Sequence, residues 1–149
     1  MAKISGSASS DIDAPIDAVW AIVADVGQWA DWQSALGQVV ITDKDGQGRA
    51  ATCDVDIDAK ITKISLALEC GYAEPTQMTF TRTSGNLSAL DGSWRLEDLG
   101  DGRTRATYSL VVNPGTVLGF LLNAERTERL RALLVDARPG ELKARVEGA

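Results

Sequence analysis

Residues 90–112 read LDGSWRLEDLGDGRTRATYSLVV, and this stretch is the strongest indicator of the fold. In both halves apolar side chains occupy every second position with polar ones between them, and residues 99–102 (LGDG) separate the halves. A period of two places successive side chains on opposite faces of a strand. Glycine and aspartate between two such runs favour a tight hairpin turn. The stretch therefore predicts two antiparallel strands with one apolar face and one wet face.

The same alternation extends upstream of this hairpin. Val55 and Ile57 alternate with Asp54 and Asp56, and similar runs recur up to the hairpin with turn residues between them. Five or six consecutive strands joined in this way form an antiparallel meander. A further strand is predicted over residues 3–12, followed by a helix that begins near Pro15 because proline suits the first helical position.

The C-terminal region is predicted to be helical from Asn113-Pro114 onward. Its apolar residues before and after residues 123–127 lie on different sides of a straight helix, so we expect a kink or break there. Pro139-Gly140 predicts a second interruption. This helix is the one predicted element large enough to cover the apolar face of the sheet, and two such layers leave room for a cavity.

Composition and charge limit the possible functions. The chain has 149 residues, a formal net charge of −6 and no histidine. Its length fits one domain, residues 1–149. The negative charge disfavours nucleic acid as a partner. Without histidine, Ser-His-Asp and Cys-His catalysis and histidine-ligated metal sites are excluded. We expect no metal and no cofactor.

Targeting signals are not evident in the sequence. It has no apolar run long enough to span a bilayer and no signal-peptide core. We therefore expect a cytoplasmic protein without stable membrane insertion, in which Cys53 and Cys70 are reduced. As for oligomeric state, we expect a monomer or a homodimer.

Several phrases of the sequence resemble the polyketide cyclase/dehydrase family of the START-like (SRPBCC), helix-grip superfamily, and its small actinobacterial members most. They are residues 14–20 (APIDAVW), 25–32 (DVGQWADW), 90–96 (LDGSWRL), 108–110 (YSL) and 142–147 (LKARVE). The resemblance implies an α+β, helix-grip fold. In that fold a curved antiparallel sheet of six to seven strands wraps around a long C-terminal helix, with one or two short helices after the first strand. Pro139-Gly140 departs from the family, whose last helix usually continues to its end.

The resemblance also implies a cavity, between sheet and C-terminal helix, that binds a hydrophobic small molecule such as a lipid, a quinone or a polyketide. For each in-phase apolar residue the alternative is packing in a dry core. Trp29 and Trp32 could gate the cavity mouth or plug the junction of helix and sheet. The candidate ligand-binding residues are Trp29, Trp32, Val55, Ile57, Leu66, Leu68, Met78, Phe80, Leu90, Trp94, Tyr108, Leu110, Leu118, Leu121 and Leu122.

Three polar residues are candidate catalytic groups for the alternative function, a polyketide aromatase/cyclase or dehydratase acting on a poly-β-ketone. Arg82 is in phase with buried positions and could point a charge at an enolate, or reach water from the strand end. Tyr72 and Tyr108 could hydrogen-bond a carbonyl, or serve as core tyrosines. Such chemistry needs positioning and hydrogen bonds. A third possibility is an interaction protein that uses the fold as a surface.

Overall fold

A computed structural model describes residues 3–148 of the chain. The strands are β1 (Ile4–Ile12), β2 (Leu36–Lys44), β3 (Ala50–Asp58), β4 (Lys63–Ala73), β5 (Gln77–Gly85), β6 (Ala89–Gly100) and β7 (Arg103–Asn113). They form one seven-stranded sheet in the order β1-β7-β6-β5-β4-β3-β2. Every neighbouring pair is antiparallel, so the predicted meander is confirmed, and β1 completes the sheet beside β7.

The helices lie after β1 and after β7. They are α1 (Ile16–Val23), α2 (Trp29–Trp32), α3 (Gly115–Leu121), α4 (Ala124–Arg131) and α5 (Arg138–Glu147). A 3₁₀ turn over Val26–Gln28 precedes α2, and a π-helical turn over Ala132–Asp136 joins α4 to α5. The predicted α+β architecture is thus confirmed. Within residues 3–148, none of the helices is both long enough and apolar enough to cross a membrane.

The C-terminal helix has the first of its two predicted irregularities in the expected place. Helix α3 ends at Leu121, and Asn123 caps α4 by accepting a hydrogen bond on its side-chain oxygen from the Arg126 N–H at 2.8 Å. Pro139, by contrast, does not end the helix. It lies in the first turn of α5, where a missing N–H needs no partner. The π-helical turn before it takes up the extra residue, with the Ala137 N–H bonded to the Ala132 carbonyl at 3.0 Å.

One face of the sheet is buried against the helices. Leu66 and Leu68 of β4 are both 3% exposed, whereas Asp54 and Asp56 of the adjacent strand β3 face solvent. The alternation read from the sequence therefore assigns the inner and outer faces correctly. From the helical side, Leu134 and Leu142 lie buried against this face.

Gly92 lets an aromatic ring lie flat on the inner face. It pairs with Phe80 across β5 and β6, and a Cβ at Gly92 would lie 2.2 Å from Cζ of that ring. Any larger residue would therefore displace Phe80. The Phe80 ring stacks on Tyr108 with 6.0 Å between centroids. This packing places both rings at the wall of the internal cavity.

Candidate ligand cavity

A cavity lies between the inner face of the sheet and the helices. It measures about 40 Å³, counted as space open to the centres of water molecules. On that measure roughly 10–15 Å³ holds one water, so the cavity as it stands admits a few waters. Sites for drug-sized ligands measure about 300–1,000 Å³. The predicted cavity is therefore present but narrow, and a lipid-sized ligand would need the helices to move.

Aromatic packing is the reason that the cavity is narrow. The Trp94 ring lies 4.7 Å from that of Tyr108, and Trp29 meets Phe80 edge-on at 5.5 Å. These large rings fill much of the space that a curved sheet leaves beneath a helix. The composition of the strands did not predict how far the rings reach into that space.

Ten of the fifteen candidate ligand-binding residues line this cavity. They are Trp29, Val55, Ile57, Leu66, Leu68, Phe80, Leu90, Tyr108, Leu110 and Leu118. Eight of them hold strand positions in phase with the inner face, and Trp29 and Leu118 belong to α2 and α3. Trp29 also donates its indole N–H to the Val23 carbonyl at 3.0 Å, which fixes the ring at the wall.

The other five candidates lie outside the lining. Met78 and Trp94 are 0% exposed and pack in the core instead. Trp32 packs against Trp94 at 5.9 Å and borders a shallow depression on the outer surface. Leu121 is 41% exposed at the end of α3, and Leu122 lies in the break that follows. Leu122 packs half-buried against the core without reaching the cavity lining.

Nine lining residues were not among the candidates. They are Ile4, Gln33, Leu36, Ile64, Leu87, Val112, Leu130, Leu134 and Arg138. Most belong to alternations or stripes that the sequence shows clearly. Arg138 was not predicted, although it lies four residues after Leu134 and four before Leu142. This spacing puts it on the same helical face as a buried apolar stripe. That spacing was the available signal for a cation facing the interior.

Arg138 is held at the cavity by its neighbours. It is 3% exposed, and its Nη1 donates to Oε1 of Glu141 at 2.8 Å. The other carboxylate oxygen of Glu141 accepts from the Ser34 backbone N–H at 2.9 Å. Within the described part of the chain, Nε of Arg138 is buried without a hydrogen-bond partner. A buried donor left unpaired is costly, and buried water or a ligand commonly satisfies such a group.

Two further polar groups lie in the same lining. Gln33 is 3% exposed, and its Nε2 finds no acceptor among residues 3–148. Burial raises the pKa of Tyr108 above that of an ordinary tyrosine, although the Arg138 guanidinium beside its hydroxyl acts in the opposite direction. The hydroxyl is therefore protonated at neutral pH and available as a donor. We call Gln33, Tyr108 and Arg138 the polar end of the cavity.

The remaining two catalytic candidates do not reach the cavity lining. Arg82 lies near the end of β5 and donates from Nη2 to the Gly85 carbonyl at 3.2 Å, where the chain turns back. Tyr72 donates its hydroxyl to the Ala50 carbonyl at 2.6 Å. Both side chains thus serve local structure. The arginine that lines the cavity is Arg138 of α5, and Arg82 is not part of the lining.

Leu118 places α3 at the wall of the cavity. A surface depression shares Ile64 and Leu118 with the cavity lining. These two side chains therefore separate the interior from solvent. Just beyond them Phe120 is 85% exposed. The cavity and this depression thus adjoin at α3, the helical segment that the break at residue 122 separates from α4.

Comparison with known proteins identifies relatives of the whole chain. The family described as "Polyketide cyclase / dehydrase and lipid transport" matches residues 2–147. No curated protein matches the sequence. Among solved structures, a START superfamily protein from Mycobacterium smegmatis is 17% identical with a TM-score of 0.83, and 97% of each chain is covered.

Two aromatase/cyclases are also similar in structure. The Zhui aromatase/cyclase from Streptomyces sp. R1128 is 19% identical with a TM-score of 0.78, covering 98% of this chain and 94% of that one. The di-domain ARO/CYC BexL from the BE-7585A biosynthetic pathway is 21% identical with a TM-score of 0.70, and the match covers 97% of this chain and 50% of that one. At these identities the likeness shows the START-like helix-grip fold.

Proposed function

We propose that this chain, which belongs to the polyketide cyclase / dehydrase and lipid transport family, binds a hydrophobic small molecule. The ligand is of the lipid, quinone or polyketide type and occupies the cavity between sheet and C-terminal helix. The supporting observation is the lining itself. Apart from Gln33, Tyr108 and Arg138, the side chains that line the cavity in the described chain are hydrophobic. Removing a ligand's apolar surface from water at such a wall is favourable by about 25 cal/mol per Å².

Ligand binding requires the cavity to widen, and the structure offers a place for this. Leu118 belongs to α3, a helix of seven residues that ends at a break. A short helix of this kind gains most of its stability from packing, so its displacement costs little intrinsic helix energy. Outward movement of α3 would join the cavity to the depression beside Ile64.

Native mass spectrometry tests the proposal with a matched pair of variants. Leu110 is 4% exposed and lines the cavity, whereas the next residue, Val111, is 47% exposed on the other face. Leu110→Phe fills the cavity, and Val111→Phe enlarges an outer residue of the same strand. Protein expressed in an actinobacterial host should carry a small-molecule adduct in the wild type and in V111F, and L110F should lose it.

The proposal is wrong if folded wild-type protein carries no adduct and takes up no added hydrophobic ligand. It is equally wrong if the adduct persists unchanged in L110F. Thermal unfolding of both variants checks that each is folded, and Leu90→Phe serves as a second cavity-filling variant.

A second candidate function is polyketide cyclisation. The observation that favours it is the convergence of Tyr108 and Arg138 on one cavity, since two donors there could orient a ketone and stabilise an enolate oxygen. Reconstitution with a minimal polyketide synthase, followed by mass spectrometry of the products, tests this function. Wild-type protein should shift the products toward one cyclised compound and Tyr108→Phe should not. An unchanged product mixture with the wild type leaves binding alone as the function.

A further inference from the structure

The polar end of the cavity has the composition of a recognition site. Arg138 lies in a buried stripe between Leu134 and Leu142. An apolar residue at this position would avoid the desolvation cost of burying a charged group. Its Nε and the Nε2 of Gln33 are buried donors, and across residues 3–148 neither has a partner. Both side chains line the same cavity as the Tyr108 hydroxyl. Three donor groups thus line one cavity. Two of them, Arg138 Nε and Gln33 Nε2, have no acceptor within residues 3–148.

The charge of Arg138 is already balanced. Glu141 accepts from Nη1 at 2.8 Å, and its side chain is 17% exposed. The Ser34 N–H holds the same carboxylate at 2.9 Å, so the pair is fixed from both sides. The guanidinium therefore offers the ligand directed N–H donors with little net positive charge.

This balance decides which acceptor fits. A carboxylate entering the cavity would place two negative charges around one guanidinium in a site of low dielectric, and the second charge would lack compensation. A neutral carbonyl oxygen accepts from the same donors and adds no charge. Its lone pairs suit a site that offers several N–H and O–H donors.

We propose that the polar end, Gln33, Tyr108 and Arg138, binds a neutral carbonyl oxygen of the ligand, as in a ketone, quinone or ester, and discriminates against carboxylates. The inference rests on the proposed function, because the apolar body of that ligand occupies the rest of the cavity. It assigns to Arg138 and Gln33 a role in specificity, and Glu141 acts through Arg138 as a positioning residue.

Three naphthalenes that differ in one substituent test the inference: 2-acetylnaphthalene, 2-ethylnaphthalene and 2-naphthoate. Isothermal titration calorimetry at neutral pH measures each affinity. The acetyl compound should bind on the order of tenfold more tightly than its ethyl analogue, since one hydrogen bond to a charged donor has that effect. The naphthoate should bind most weakly.

Substitutions test which residues cause the preference for the acetyl compound. Tyr108→Phe, Gln33→Leu and the double variant Arg138→Met/Glu141→Gln should each reduce the ratio of acetyl to ethyl affinity. The double variant removes both charges, so no carboxylate is left unpaired. Arg82→Met, outside the cavity lining, is the matched control and should keep the full ratio. A ratio that R138M/E141Q, Q33L and Y108F all leave intact overturns the assignment.

The ligand series separates the inference from the function on which it rests. Equal binding of the acetyl and ethyl compounds means that buried water satisfies the polar end, and this overturns the inference while the proposed function stands. Tightest binding of the naphthoate overturns it as well. Binding of none of the three to folded protein overturns the proposed function and the inference together.

Discussion

The two phenylalanines of the chain lie in opposite environments. Phe80 is 5% exposed and packs between Trp29 and Tyr108, whereas Phe120 is 85% exposed on α3. The first packs against aromatic rings at the cavity wall, and the second projects into solvent from α3. The same residue type thus marks a tightly packed end and a loosely packed one. Ligand access is expected where packing is weakest.

Replacing each phenylalanine by alanine should give the largest contrast. Phe80→Ala should lower the free energy of unfolding by about 3–5 kcal/mol, because it leaves a cavity in the aromatic cluster. Phe120→Ala should change it by no more than about 0.5 kcal/mol. Urea denaturation measures both. Similar losses from the two substitutions would contradict the assignment of a packed end and a loose end.

Two threonines allow a second comparison, between a buried hydroxyl and one on the outer face. Thr104 is 0% exposed and donates to the Ala14 carbonyl at 2.8 Å, which ties β7 to the segment before α1. Thr104→Val should cost about 1–2 kcal/mol, since the partly buried Ala14 carbonyl loses its hydrogen-bond donor. Thr107, which shares a hydrogen bond with Ser9 at 2.8 Å on the outer face, is the control. Denaturant unfolding should show a clearly smaller loss for Thr107→Val, and an equal loss would refute the argument.

Alkaline pH tests the burial of Tyr108. Burial raises its pKa in the folded protein, so above about pH 10 the unfolded chain ionises at this tyrosine while the folded chain stays neutral. Unfolding then releases a proton, and stability falls as pH rises, by up to about 1.4 kcal/mol per pH unit. Below that range Tyr108 contributes no pH dependence.

Tyr108→Phe removes this contribution. The stability difference between wild type and variant should be constant at lower pH and should shift in favour of the variant above about pH 10. Urea titrations at several pH values measure it. Parallel stability curves for the two proteins throughout the alkaline range would show that Tyr108 is not desolvated.

A glycine in α3 offers the smallest and most specific test. A Cβ at Gly119 or at Gly140 of α5 would meet no atom within 4 Å, and neither glycine has a positive φ. Each substitution by alanine should therefore stabilise its helix by up to about 1 kcal/mol. Because α3 is the helix proposed to move when a ligand enters, Gly119→Ala should slow ligand association in stopped-flow measurements. Gly140→Ala should not. Equal association rates for the two variants would remove α3 as the opening segment.

The sequence predicts the architecture well and the site only in part. Alternation along β3 to β7 depends on which face is buried, so the pattern alone identifies Leu66, Leu110 and Tyr108 as inner residues. It could not show how closely rings such as Trp94 approach Tyr108, because that distance depends on sheet curvature. The narrowness of the cavity was therefore not predictable.

Arg138 shows a different limit. The C-terminal sequence suggests two apolar stripes and a proline that interrupts the helix, so the residue before Pro139 was not predicted to belong to the lining. The π-helical turn keeps the helix continuous there and leaves Arg138 in phase with Leu142. Arg82 was in phase with its strand, yet the turn at Gly85 draws its guanidinium aside.

A methyl NMR titration of Leu- and Val-labelled protein with 2-ethylnaphthalene would show whether the space between sheet and C-terminal helix accepts a hydrophobic molecule. Saturable shifts are expected at Leu66, Leu90 and Leu110, whereas Val40 and Val111 on the outer face should stay unchanged. Shifts confined to the outer valines, or no shifts at all, would rule out binding in this space.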